Sequence, residues 1–245
     1  MKTALITGAN KGIGFETARQ LLQAEYYVYL GSRDIKKGQE ATDRLKSEGL
    51  SNVEAIRIDV SDSASIIDAR KELGSKLTSL DVLINNAGIR GQGSPAPSLI
   101  DPKTIREVFN TNFFGAIEVT QAFLDLLRNS EAPRIVNVTS GLASLVLHND
   151  PDWKYYKIKG GAYGPSKTAL NAHTVALAYE LRDTPFKVNA VDPGFTATDL
   201  NEHRGTGTVE DAAKRIIKYA TIGDDGPTGG YFSDDNDPET GVSPW

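Results

Sequence analysis

Thr7-Gly8-Ala9-Asn10-Lys11-Gly12-Ile13-Gly14 follows a short apolar run, Thr3–Thr7, and opens directly into a helical pattern from Gly12 to Ala24. Three glycines so close together let the backbone approach a bulky anion, because a Cβ at these positions would stand in the way. The N-terminus of the following helix turns free N–H groups and a positive dipole toward the same anion. The spacing is Gly-xxx-Gly-x-Gly and not the more familiar G-x-G-x-x-G, so a plain tight turn is the competing reading. A strand before the glycines and a helix after them favour a dinucleotide phosphate site.

Outward from this turn, short β-rich runs alternate with longer helical patterns. The expected strands are Thr3–Thr7, Tyr27–Gly31, Val53–Ile58, Asp81–Asn85, Arg134–Thr139 and Lys187–Asp192. Several are apolar at consecutive positions, the pattern of strands covered on both faces. The expected helices are Gly12–Ala24, Ile35–Glu48, Ser63–Lys76, Pro102–Arg128, Ala162–Arg182 and Thr208–Tyr219. Asp62 and Asp101 read as N-caps, the second with Pro102 at the first helical position, and Gly49 reads as a C-cap. This βαβ order predicts a single-domain, Rossmann-type α/β fold over residues 1–245: a doubly wound parallel sheet with right-handed crossovers and helices on both faces. Ser144–Gly161 and Gly223–Trp245 read as loops on that domain.

Composition narrows the function classes. The 245 residues carry a formal net charge of −5 with no dense Lys/Arg run, which disfavours a nucleic-acid partner. The absence of cysteine removes disulfides, thiolate nucleophiles and Cys-based metal sites. His148, His173 and His203 share no ligand spacing, so no metal is expected. No apolar run approaches the roughly 20 residues that span a bilayer, and no basic apolar leader opens the chain. A cytoplasmic protein is expected.

The cofactor type is read at the second strand, which ends Leu30-Gly31-Ser32-Arg33-Asp34. An acid at this strand end would bind a ribose 2′-hydroxyl, whereas a nearby Arg accepts a 2′-phosphate. Ser32 stands in the acid's place, Arg33 follows, and Lys11 lies in the glycine turn. The two cations favour NADP(H), unless both are solvated surface charges. Asp34 either caps the next helix or pairs with Arg33.

Tyr163-Gly164-Pro165-Ser166-Lys167 opens a long helical segment, and residues at i and i+4 share a face. A neighbouring ammonium favours a phenolate and lowers a tyrosine pKa toward neutrality. Alone the pair would be helix surface. Its company is Asn85-Asn86-Ala87-Gly88, Ser140 and Asp192-Pro193-Gly194, each at the carboxyl end of an expected strand, where open α/β sheets bind ligands.

With this ordered set the chain resembles the short-chain dehydrogenase/reductase family over essentially its whole length. Gly8–Gly14, Arg33-Asp34, Thr111-Asn112-Phe113-Phe114-Gly115 and Trp245 resemble its NADPH-dependent carbonyl reductase branch. The resemblance implies reduction of an aldehyde or ketone with Tyr163 as proton donor. It implies that Lys167 lowers the tyrosine pKa and binds the nicotinamide ribose, that Ser140 polarises the carbonyl, and that Asn112 supports a water relay. For the cofactor it implies contacts from Gly8, Asn10, Lys11, Gly12, Ile13, Gly14 and Arg33. Asp59 and Val60 would flank the adenine, and Asn86, Ala87 and Gly88 would lie further along. Pro193, Gly194, Thr196 and Thr198 would line the nicotinamide end. Competing structural roles are a buried helix amide for Asn112, a helix cap for Asp59, and a strand-end cap for Ser140 with Thr139 or Ser144 as the reacting hydroxyl. An NADP-sensing protein without turnover is the alternative function. The partner is a small carbonyl or alcohol, with monomer and homo-oligomer both compatible. The 23 positions from Ser140 to Tyr163 adjoin the expected site mouth, where Trp153, Tyr155 and Tyr156 either wall a substrate pocket or only pack the loop onto the body, and Gly194–Thr208 reads as a mobile half-lid.

Overall fold

The computed structural model describes all residues 1–245. Its strands are β1 (Thr3–Ile6), β2 (Tyr27–Ser32), β3 (Val53–Arg57), β4 (Val82–Asn85), β5 (Arg134–Val138), β6 (Lys187–Val191) and β7 (Tyr231–Phe232). They form one seven-stranded sheet, ordered β3-β2-β1-β4-β5-β6-β7, with every strand pair parallel. The helices are α1 (Gly12–Gln23), α2 (Ile35–Ser47), α3 (Ser63–Gly74), α4 (Pro102–Phe109), α5 (Gly115–Arg128), α6 (Leu145–His148), α7 (Tyr163–Glu180) and α8 (Val209–Ala220).

Strand alternation splits the core into two layers. Ala4, Ile6, Val28, Leu30, Val82 and Ile84 face α1, α2 and α8, whereas Leu5, Tyr29, Leu83 and Ile135 face α3, α5 and α7. Consecutive residues of one strand therefore bury on opposite faces, which is why the strands read as unbroken apolar runs. Asp62 and Asp101 cap α3 and α4 through their carboxylates, and Gly49 takes a left-handed φ of +85° just beyond α2.

Three expectations change. Ser144–Gly161 is not loop throughout, since the short helix α6 opens it behind the Ser144 cap. Pro102–Arg128 is not one regular helix, because a π-helical turn at Asn110–Phe114 separates α4 from α5. At its end Gly115 packs directly on the Val60 carbonyl, where a Cβ would clash. Gly223–Trp245 is not loop throughout, since it contributes β7. That strand has only two residues inside a Gly- and Pro-rich stretch, so no period-2 pattern announces it.

Chain order reverses between β1 and β4. The carboxyl ends of these strands open into the crevice that the glycine turn occupies.

Candidate active site

The glycine turn is built for close approach. Gly8 and Gly12 have φ of +64° and +58°, which a side chain would strain. A Cβ on Gly14 would stand 2.5 Å from Asn86 Nδ2 and 2.8 Å from the Gly8 carbonyl oxygen. Helix α1 has no side-chain cap at its N-terminus and no acid in its first turn. Its first N–H groups therefore remain available to an anion. Asn86 supports the turn from behind, donating through Nδ2 to the carbonyls of Thr7 (2.9 Å) and Gly8 (3.1 Å). The Thr7 hydroxyl accepts from the amides of Asn86 and Ala87, tying β4 to the turn.

At the adenosine end Arg33 is exposed beyond β2 and buried Ser32 donates to the Asp34 carbonyl. The Asp34 carboxylate caps α2, accepting from Lys36 N at 3.0 Å, so it does not neutralise Arg33. Asp59 does not cap α3, a role Asp62 fills. Its Oδ1 accepts from the Ser61 amide and hydroxyl. Burial pushes its carboxyl up, but these hydrogen bonds and the charges of Arg33 and Arg57 win and hold it below the usual carboxylate range. Val60 beside it is buried. Lys11 pairs with Asp199 at 2.6 Å across the turn.

Asp199 belongs to the Gly194–Thr208 segment, which lies folded against the turn. Thr198 Cγ2 would meet a Cβ on Gly12 at 3.7 Å, and Thr196 pairs with Gly207 as an isolated bridge. Pro193 is clamped by Arg215, whose Nη1 donates to its carbonyl at 2.6 Å. Buried Thr196 caps the same bend through the Pro193 and Gly194 carbonyls. The lid therefore has fixed contacts of its own in this conformation.

Helix α7 carries the Tyr163–Lys167 pair. Tyr163 is half-buried in a cleft, and Lys167 is buried with Nζ donating to the Val138 carbonyl at 2.7 Å. Burial lowers the lysine pKa to about 8. The expected depression of the tyrosine is not found in the protein alone. Burial, then the Asp192 charge, push Tyr163 up to about 12 against the lowering effects of Ser140 and Arg90. Burial of the hydroxyl is the dominant cause, and Lys167, whose Nζ donates to the Val138 carbonyl and lies 6.0 Å from the tyrosine ring centroid, does not outweigh it.

The rival hydroxyls separate by burial. Thr139 and Ser144 are buried, the latter capping α6, whereas Ser140 is half-exposed and also caps the turn at Leu142. Asn112 sits in the π turn. Its Oδ1 accepts from Ile89 N at 2.8 Å, and its Nδ2 donates to Ile89 O and to Ser166 Oγ at 3.0 Å. A Cβ on Gly88 would meet Asn112 Oδ1 at 3.4 Å and Lys167 Nζ at 3.6 Å. The Asn-Asn-Ala-Gly strand end, the π turn and the α7 pair are thus one cluster.

Two supports escaped sequence reading. Asp192, read only as part of a Pro-Gly bend, is buried and accepts from Ser233 Oγ at 2.6 Å and Gly194 N at 3.0 Å. Tyr231 of β7 donates to the Ser140 carbonyl at 2.7 Å while its ring packs on Trp245. The signal was present in the three aromatics Tyr231, Phe232 and Trp245, but their Gly-rich setting masked it. In the Ser144–Gly161 segment, Trp153 is buried between His148 and Tyr155, and the Tyr155 hydroxyl donates to Asp235 at 2.8 Å.

A glycine turn at the switch point of a doubly wound sheet, with Ser140, Tyr163 and Lys167 over the same crevice, defines a dinucleotide-binding α/β protein. The chain belongs to the short-chain dehydrogenase family, whose profile matches residues 2–208. It is similar to (+)-neomenthol dehydrogenase of Capsicum annuum, 33% identical, with 94% of each chain covered. That alignment runs over 298 positions, longer than this chain, so the pepper protein carries insertions. Short-chain dehydrogenase anuI of Penicillium roqueforti is 37% identical over 236 positions, with 94% of this chain and 93% of that one covered. Among solved structures, NADPH-bound carbonyl reductase from chicken fatty liver superposes with a TM-score of 0.84 at 27% identity, covering 100% of this chain and 99% of that one. Salutaridine reductase of Papaver somniferum superposes with a TM-score of 0.79 at 30% identity, covering 94% and 99%.

Proposed function

We propose that this chain is an NADPH-dependent oxidoreductase that reduces an aldehyde or ketone to an alcohol, with Tyr163 as proton donor. The observation that carries this reading is the convergence of Lys167, Asn112 and Gly88 beneath Tyr163 and Ser140, in the crevice that the glycine turn opens. Relatives named as reductases, among them salutaridine reductase and (−)-isopiperitenone reductase, support it, as does the NADPH-bound carbonyl reductase structure. An NADP sensor would use the crevice but has no need of the acid–base pair.

The residues fit the dinucleotide. The turn Gly8–Gly14 with Asn10, Lys11 and Ile13 would hold the pyrophosphate, Arg33 the 2′-phosphate, and Asp59 and Val60 the adenine. Ala87, Gly88, Pro193, Gly194, Thr196 and Thr198 would line the remainder, with Asn86 bracing the turn. Bound NADPH supplies the hydride to the carbonyl carbon. Ser140 donates a hydrogen bond to the carbonyl oxygen and fixes it beside Tyr163. The Tyr163 hydroxyl then gives its proton to that oxygen, and the ammonium of Lys167 offsets the negative charge left on the phenolate. Asn112, held by Ile89 and Ser166, keeps the π turn and Lys167 in register.

Replacing Arg33 tests the cofactor reading. Arg33→Ala removes a charge-assisted contact to the 2′-phosphate and is expected to raise the NADPH dissociation constant roughly 10- to 100-fold. NADH affinity should stay near its starting value, because NADH has no phosphate there. Equal losses for both nucleotides in parallel titrations would contradict the assignment.

Lys167 sets a pH limit. Its pKa of about 8 leaves it charged at neutral pH and discharged above. Reduction should therefore slow about tenfold between about pH 7 and 9 as the charged fraction falls. A kcat profile that stays flat across this range would remove Lys167 from the proton-transfer step. No helix is long and apolar enough to cross a membrane. A cytoplasmic setting, with its pool of NADPH, suits a cysteine-free reductase of this kind.

A further inference from the structure

The cleft that carries Tyr163 has a volume of about 780 Å³ and an apolar wall that includes Ile100, Leu142, Leu145 and Ile158. Its charges are all of one sign. Arg90, Lys157 and Lys159 line it and no Asp or Glu does, in a chain whose formal net charge is −5. Arg90 is exposed at the mouth, yet its charge acts on the Tyr163 hydroxyl, so the guanidinium lies within electrostatic reach of the reacting group.

Lys159 is fixed without being neutralised. His148 Nε2 lies 3.0 Å from the Leu142 carbonyl, and its Nδ1 lies 3.1 Å from Lys159 Nζ. The carbonyl requires a donor and the ammonium an acceptor, so Nε2 carries the proton and Nδ1 accepts. Burial lowers the pKa of His148, which keeps it neutral near pH 7. Lys159 also donates to the His148 carbonyl at 2.6 Å and sits 4.2 Å from the Tyr156 ring centroid. All of these partners are uncharged, so its positive charge faces the cleft uncompensated.

We propose that the substrate is an apolar carbonyl compound bearing one anionic group, a carboxylate or a phosphate ester. Arg90, Lys157 and Lys159 hold that group at the rim while the apolar body lies on Leu142 and Ile158 and the carbonyl reaches Ser140 and Tyr163. This rests on the reductase reading above and names its substrate class. The cations are exposed and open to screening by salt, so the preference they confer is about tenfold and not thousandfold.

Three matched aryl methyl ketones test it: 4-acetylbenzoate, 4-acetylphenyl phosphate and methyl 4-acetylbenzoate. With NADPH at low ionic strength, kcat/KM for at least one anionic ketone should exceed that of the ester about tenfold, through KM. The ketone with the larger gain identifies carboxylate or phosphate. High salt should erase the preference, and the triple variant R90Q/K157Q/K159Q should bring the ratio close to one. The ratio is taken within each enzyme, so a general loss of activity cancels. Turnover of the ester at an equal or better rate, or a preference that survives in the triple variant, overturns the anionic class. Titrating the three ketones into NADP⁺-loaded enzyme separates the two readings. Charge-selective binding without turnover overturns the reductase reading and keeps the subsite. Turnover without charge selectivity does the reverse.

Discussion

Tyr163→Phe is expected to lower kcat for carbonyl reduction by about 1,000-fold and to leave the NADPH dissociation constant within about twofold of its starting value. The substitution removes one hydroxyl and keeps the ring, so packing at the start of α7 survives. The lost group is the only one in the cluster placed to give a proton to the substrate oxygen. Ser140 is a poorer donor of protons, Lys167 is buried with its ammonium on the Val138 carbonyl, and Asn112 is fully occupied by Ile89 and Ser166. Burial and Asp192 keep Tyr163 protonated far above neutral pH, which is the form reduction requires. Comparing single-turnover rates with nucleotide titrations of the same variant checks both halves. Wild-type turnover by the phenylalanine variant would end the proton-donor assignment.

Gly14→Ala should abolish useful cofactor binding, raising the NADPH dissociation constant by about 100-fold, or about 2.7 kcal/mol. The new methyl would meet Asn86 Nδ2 at 2.5 Å, the Gly8 carbonyl at 2.8 Å and Ala9 Cα at 2.9 Å. The Asn86 amide can swing aside, but only by surrendering its bonds to the Thr7 and Gly8 carbonyls. The backbone atoms cannot, so the turn must widen where the pyrophosphate would lie against it. Overpacking of this kind also costs about 1–3 kcal/mol of stability, which denaturant unfolding will report separately. A folded variant with unchanged NADPH affinity would show that the turn does not carry the phosphates.

The parts legible in the sequence were those with a local cause. Consecutive apolar residues such as Ala4, Leu5 and Ile6 announced a strand covered on both faces, and the structure divides them between two core layers. Asp62 and Asp101 announced helix starts through their own side chains. The Tyr163–Lys167 spacing and the strand-end polar groups point to one crevice, and Gly88, Asn112 and Lys167 lie together there. What stayed hidden depends on contacts between distant segments. The i, i+4 spacing predicts a Tyr163 depressed by the Lys167 ammonium, but burial of the hydroxyl and the Asp192 charge push it up. Asp34 and Arg33 are neighbours in sequence, yet the carboxylate turns to cap α2. The pairing of Lys11 with Asp199 and the bond from Tyr231 to Ser140 span 188 and 91 residues, beyond any local pattern. The one-sign lining of the cleft likewise joins Arg90 to Lys157 and Lys159 only in three dimensions.

The most direct test of the central claim is to follow NADPH absorbance and alcohol formation together, with the purified enzyme and an aryl ketone. One alcohol is expected for each NADPH oxidised, with both signals lost in Tyr163→Phe. Tight NADPH binding with no alcohol formed from any aldehyde or ketone in a broad panel would contradict it.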